Sequence, residues 1–148
     1  LPSPMPEPAA PSVSAAPARK RTPLLPVVVG FAAAVPYYVL FIMHPDGAFD
    51  MLSLILAFTG GIYYGVALRE GSRRRLVGEA LAGGALTVMA ALSLWWNPLW
   101  LAAGFAAHGL WNLAHHTGAV KHGIRHWFPP MHAAWEWVIA AMVVYFAW

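Results

Sequence analysis

The sequence predicts an all-α integral membrane bundle of five transmembrane helices with a cytoplasmic N-terminus. Three observations carry this reading. Of 148 residues, 59% are hydrophobic and only 10% are charged, with a mean hydropathy of +0.57; a soluble domain has roughly 45–50% apolar and about 25% charged residues. The apolar residues fall into five runs, each long enough to cross a hydrocarbon core of roughly 30 Å at about 1.5 Å per residue. The basic residues cluster between those runs rather than within them.

Residues 1–18, LPSPMPEPAAPSVSAAPA, are rich in Pro, Ala and Ser and have no hydrophobic periodicity. They cannot bury a core and are expected to be a disordered tail. The domain proper is 19–148. After Arg19-Lys20-Arg21, the first span covers Leu24–Met43. Pro26 stands in its first turn, where a missing N–H costs little. Pro36 lies inside and is expected to kink it. HPDGAFD (44–50) reads as a turn and Met51–Leu68 as the second span. REGSRRR (69–75) is a basic loop, Leu76–Trp96 the third span, and Asn97-Pro98 a tight turn. Leu99–Thr117 is the fourth span, GAVKHGIRHWFPP (118–130) a second basic loop, and Met131–Trp148 the fifth span.

Charge fixes the expected orientation. With the N-terminus in the cytoplasm, Arg19, Lys20, Arg21, Arg69, Arg73, Arg74, Arg75, Lys121 and Arg125 all fall on the cytoplasmic side. This is the bias that orients multi-pass membrane proteins, so a multi-pass protein with its basic loops in the cytoplasm is expected. Trp95, Trp96, Trp100 and Trp148 then gather at the outer interface, and Trp127 and Phe128 at the inner one. The bases are too few for a nucleic-acid surface; the partner they imply is the bilayer. Without cysteine there are no disulfides and no thiolate metal sites. Gly61 and Gly65 form a GxxxG on span two, with Ala80 and Gly84 a looser version on span three, and close contacts between spans are expected there.

The fourth span carries HGLWNLAHH, residues 108–116. His108, Asn112 and His115 are spaced i, i+4, i+7 and share one helical face, with His116 at its shoulder. Span five opens with MHAAWEW, placing His132 and Glu136 on one face. Counted from the shared boundary, Glu136 should lie level with Asn112. Glu79, in LVGEAL, is just inside the same boundary on span three. An unpaired acid or base in a span costs roughly 2.5–3.5 kcal/mol at the helix centre and less toward its ends, so these groups should face inward and pair. His115, His116, His132, Glu136 and Glu79 are the expected metal ligands. Asn112 supports them from behind, Glu136 doubles as a general base, and His108 is a separate cofactor position deeper in the span. Imidazole and carboxylate suit a divalent Fe, Zn or Mn ion. The alternative for the same groups is a hydrogen-bond network that ties spans three, four and five together.

HGLWNLAHH fits an H-x-x-W-[DN]-x-x-H-H pattern. It resembles the signature of a family of small bacterial multi-helix membrane proteins of uncharacterised function, over about the last third of the chain. In that family a Gly- and Pro-containing loop follows the motif, and a last helix carries an acid. His108, Trp111, His115 and His116 match. Asn112 stands where Asp is more usual, which removes a carboxylate, and Glu136 takes the place of the later acid.

Other chemistries fit poorly. Di-iron hydroxylases and desaturases need many more histidines, and the paired-glutamate box of CAAX-type proteases is absent. A bis-histidine haem needs a second histidine level with His108, which counting along the spans does not supply. A bacteriochlorophyll needs one ligand, and Gly104 leaves a small residue one turn from His108. Two functions are therefore carried forward. One is a metalloprotein acting on a lipid-like substrate. The other is a non-enzymatic accessory subunit of a larger membrane complex, with pigment contact as one of its roles.

Overall fold

Proline sets where three of the helices start. In the computed structural model, which describes residues 24–69, 72–117 and 125–148, the elements are α1 (Leu24–Met43), α2 (Pro45–Arg69), α3 (Arg73–Trp95), α4 (Leu99–His116) and α5 (Phe128–Ala147). Among the described residues every regular element is a helix. The first helix has the expected bounds and runs on through Pro36. The expected turn at 44–50 shrinks to His44. Pro45 occupies the first position of α2, where its fixed φ suits a helix start, and Asp46 in the first turn favours the positive end of the helix dipole. Helix α5 likewise begins three residues earlier than expected, because Pro129 and Pro130 occupy its first turn. The Asn97-Pro98 turn is as tight as expected: Asn97 Oδ1 accepts the Leu99 N–H at 2.8 Å.

The helices form a ring in the order α1, α5, α4, α3, α2, with α2 returning to α1. The α2–α3 and α4–α5 hairpins make the most extensive contacts, and α1 packs chiefly on α5. Gly30 of α1 lies against the Met131 backbone, and Phe41 stacks on Phe146 at 4.7 Å. Helices α1 and α5 thus run in the same direction, as the first and last of five alternating helices must. The buried apolar core runs along this ring through Phe41, Leu52, Leu56, Leu101, Phe105, Ile139 and Val143. Among the described residues, three helices are long and apolar enough to cross a membrane: Leu24–Met43, Pro45–Arg69 and the Leu76–Trp95 part of α3. Large apolar side chains such as Leu25, Phe31, Ile42, Phe58, Leu81 and Leu110 are exposed on the outside of the bundle. Apolar exposure of this extent, on helices of this length, suits contact with lipid. The expected tail at 1–18, the basic cluster at 19–21, and residues 118–124 of the second basic loop lie outside the described residues.

The small residues at the α2–α3 contact are not those expected. A side chain at Gly61 or Gly65 would meet nothing within 4 Å. The backbones approach one position away, where a Cβ on Gly60 would lie 2.6 Å from both the Gly83 carbonyl and Thr87 Oγ1. The two glycines therefore let the chains meet. The GxxxG spacing found the right helix but the wrong face, since α2 has three glycines in six residues and spacing cannot choose among them. Gly84 does face its neighbour, with Tyr64 Oη 3.0 Å from where a Cβ would stand.

Candidate metal centre

The i, i+4, i+7 stripe of α4 faces three other helices, and its members separate along it. His108 is 3% exposed, Asn112 4% and Glu136 0%. His108 Nδ1 contacts Glu136 Oε1 directly. His132, one turn before Glu136 on α5, places its own Nδ1 3.1 Å from the same oxygen and is 25% exposed. The other oxygen, Glu136 Oε2, accepts a hydrogen bond from Asn112 Nδ2 at 2.9 Å. From α2, Tyr63 Oη lies 2.7 Å from His108 Nε2. Among the described residues, His108, His132 and Glu136 form a group whose ligand atoms all lie within 4.8 Å of one another.

His108 is therefore a member of the cluster, which corrects its expected place as a separate, deeper cofactor position. The error came from the start of α5. Because FPP is the first turn of the helix rather than the end of a loop, Glu136 sits about one turn further in than a count from Met131 gives. It reaches His108 as well as Asn112. The same shift removes the argument that no second histidine can approach His108: the rings of His108 and His132 are 5.5 Å apart.

The other expected ligands gather elsewhere. His115 Nε2 is 3.9 Å from Glu79 Oε1, and both side chains are buried. The Trp111 ring stands edge-on to His115 at 5.3 Å. His116 packs its ring against His126 at 4.4 Å. The structure thus divides the expected five-ligand set. His132 and Glu136 join His108, whereas Glu79 and His115 form a second pair toward the C-terminal end of α4. Tyr63 was not foreseen. It lies outside the histidine motif, and a tyrosine in an apolar span carries no signal of its own in the sequence.

Small residues make the site possible. A Cβ on Gly109 would collide with the Trp137 indole, whose Nε1–H donates to the Ala106 carbonyl at 3.3 Å. Gly109 thus brings α4 close enough to α5 for Glu136 to touch both His108 and Asn112. No known family, curated protein or solved structure matches the chain, so the chemistry of the site rests on its geometry.

That geometry fits a metal ion. Two imidazole nitrogens and one carboxylate oxygen are a common catalytic zinc ligand set, and they suit Fe and Mn as well. A tetrahedral ion with ligands at roughly 2.0–2.2 Å needs donor atoms about 3.3 Å apart, and the cluster is within small side-chain movements of that. The outer atoms of two of the three ligands are held, His108 by Tyr63 and Glu136 by Asn112. Such outer contacts orient ligands and set their basicity. With Oε1 shared by two histidines and Oε2 by Asn112, Glu136 fits the role of ligand; general-base work would need an oxygen released from these partners.

Proposed function

We propose that the chain is a five-span protein of the bacterial cytoplasmic membrane that binds one divalent transition metal at His108, His132 and Glu136. We further propose that it uses this centre on a lipid-like substrate. The observation that carries the reading is the convergence of three ligand atoms on one buried point, with Tyr63 and Asn112 bonded to the outer atoms. A metal held by three protein ligands keeps a position open and supplies Lewis-acid polarisation or an activated water. The substrate class is supported by a cavity of about 310 Å³ between α3 and α4. Its lining is almost wholly apolar (Leu81, Ala85, Leu86, Met89 and Ala107 among others), and His108 and Trp111 reach it. The five-span, N-in topology is supported by the placement of the basic residues and by the parallel course of α1 and α5.

A second reading, a non-enzymatic accessory subunit of a larger membrane complex, is favoured by a different feature. An open trough of about 490 Å³ on the outer face of α1 and α5 is lined by Phe31, Tyr38, Trp137, Tyr145 and Phe146. It would suit a partner helix or a pigment. Elemental analysis of protein purified without chelators separates the readings. The metal reading expects close to one ion per chain in the native protein and a strong loss in Glu136→Ala. An intact, metal-free protein that co-purifies with a large complex favours the accessory reading.

A further inference from the structure

The hydrogen bond between Tyr63 and His108 has a direction, and a metal at the neighbouring nitrogen reverses it. Tyr63 Oη is 2.7 Å from His108 Nε2, and the phenol stands edge-on to the imidazole with ring centres 5.4 Å apart. The other ring nitrogen, Nδ1, faces Glu136 Oε1. A neutral imidazole carries one hydrogen, so one nitrogen donates and the other accepts. In the metal-free protein the carboxylate can only accept. Facing an ionised Glu136, a neutral His108 carries its hydrogen on Nδ1, which leaves a lone pair on Nε2. Tyr63 then has to donate its hydroxyl hydrogen to that lone pair.

A metal ligated through Nδ1 takes the lone pair there and displaces the hydrogen. The neutral ring then carries its hydrogen on Nε2. His108 is 3% exposed, so water is a poor substitute for a protein partner, and the acceptor at hand is the same Tyr63 oxygen. The ring holds one hydrogen before and after: the Nδ1 hydrogen passes to water as the metal enters, Nε2 takes one from water, and the net proton count at His108 is unchanged. A hydroxyl can serve both states because it donates and accepts. A phenyl ring serves neither, and an ammonium or a carboxylate serves only one.

We propose that Tyr63 is a positioning residue that sets which nitrogen of His108 faces the metal, donating to Nε2 in the metal-free protein and accepting from Nε2–H when metal is bound at Nδ1. This rests on the metal-centre reading given above. It adds a third helix, α2, to a site built from α4 and α5 and makes α2 sense whether the centre is loaded.

The test is ¹⁵N NMR of the full-length, histidine-labelled protein in detergent, metal-free and with Zn²⁺. Isothermal titration with Zn²⁺ is run on the native protein, Tyr63→Phe and, as a control, Tyr64→Phe, which alters the adjacent phenol. The expected spectrum shows His108 as the Nδ1–H tautomer without metal and as the Nε2–H tautomer with zinc. Loss of an outer partner of a metal-bound histidine weakens binding by about 10–100-fold, and that loss is expected in Tyr63→Phe and not in Tyr64→Phe. The same tautomer in both states of the native protein, or unchanged zinc affinity in Tyr63→Phe, would overturn the proposal. If the native protein binds no zinc, the metal reading fails, and the metal-free spectra decide the hydrogen bond separately. An Nε2 resonance that shifts in Tyr63→Phe supports donation by Tyr63, and one that does not move refutes it.

Discussion

Replacing Asn112 with aspartate sets a second acid beside Glu136, and the geometry says what that does. Asn112 Nδ2 is 2.9 Å from Glu136 Oε2 and 3.5 Å from His132 Nδ1. In Asn112→Asp the amide donor becomes a carboxylate oxygen facing a second carboxylate, with both residues buried. Two unit charges about 3 Å apart repel by roughly 5–6 kcal/mol at an effective dielectric constant of 20. A hydrogen bond between helices, worth about 0.6–2 kcal/mol in a membrane protein, is lost as well. Side-chain relaxation reduces the sum, and a loss of about 3–5 kcal/mol is expected, the usual cost of an uncompensated buried charge. A bound cation reverses the sign, because the new carboxylate stands among the ligands and supplies a further anionic oxygen. Each tenfold gain in affinity adds about 1.4 kcal/mol to metal-linked stability at a fixed excess of metal. The assay is thermal unfolding in detergent with a chelator and with excess Zn²⁺. Asn112→Asp should melt below the native protein under chelation and gain more from zinc than the native protein does. A variant as stable as the native chain without metal, or one with no larger response to zinc, would refute the reasoning.

Four further outcomes follow from the fold and its proposed topology. Gly60→Leu, whose Cβ would lie 2.6 Å from the Gly83 carbonyl oxygen, should prevent folding or cost more than the ~1–3 kcal/mol typical of overpacking. Gly61→Leu, with nothing within 4 Å, should fold normally, and the two variants are compared by size-exclusion chromatography and melting in detergent. Gly109→Leu should separate α4 from α5 and abolish zinc binding together with stability, as read by titration and melting. Reporter fusions at residue 20 and after residue 148 should report opposite sides of the membrane. Deletion of residues 1–18 should leave the melting temperature unchanged.

Much of the fold was legible because long apolar runs broken by charged and proline-containing segments impose a coarse pattern. Apolar length gave five helices, and α1 matched to the residue because Arg21 and His44 bracket an uncharged run. The starts of α2 and α5 shifted where proline was taken for a loop signal although it also opens helices, at Pro45 and at Pro129-Pro130, and α3 starts at Arg73 rather than Leu76 because the basic run taken for loop continues the helix beyond its apolar stretch. The second of these shifts mattered for the site. It moved Glu136 about one turn inward and exchanged His115 and His116 for His108 as its neighbour. Periodicity found the polar face of α4 and the partner helix α5. It could not say which histidine an acid on another helix would touch, since that depends on the register between helices. The register is set by Gly109 against Trp137, a contact that no local pattern reveals. Tyr63 was invisible for the same reason, being brought to His108 by the α2–α3 packing at Gly60 and Gly83.

His108, rather than His115, completes the proposed centre with His132 and Glu136. X-ray absorption at the metal edge tests it on the native protein, His108→Ala and His115→Ala, each loaded with zinc. Two imidazole nitrogens at roughly 2.0–2.1 Å and a carboxylate oxygen at about 2.0–2.2 Å are expected in the native protein. His108→Ala should lose one imidazole or the metal altogether, and His115→Ala should leave the spectrum unchanged. A native spectrum without imidazole, or an imidazole lost in His115→Ala and kept in His108→Ala, would contradict the assignment of His108 as a ligand.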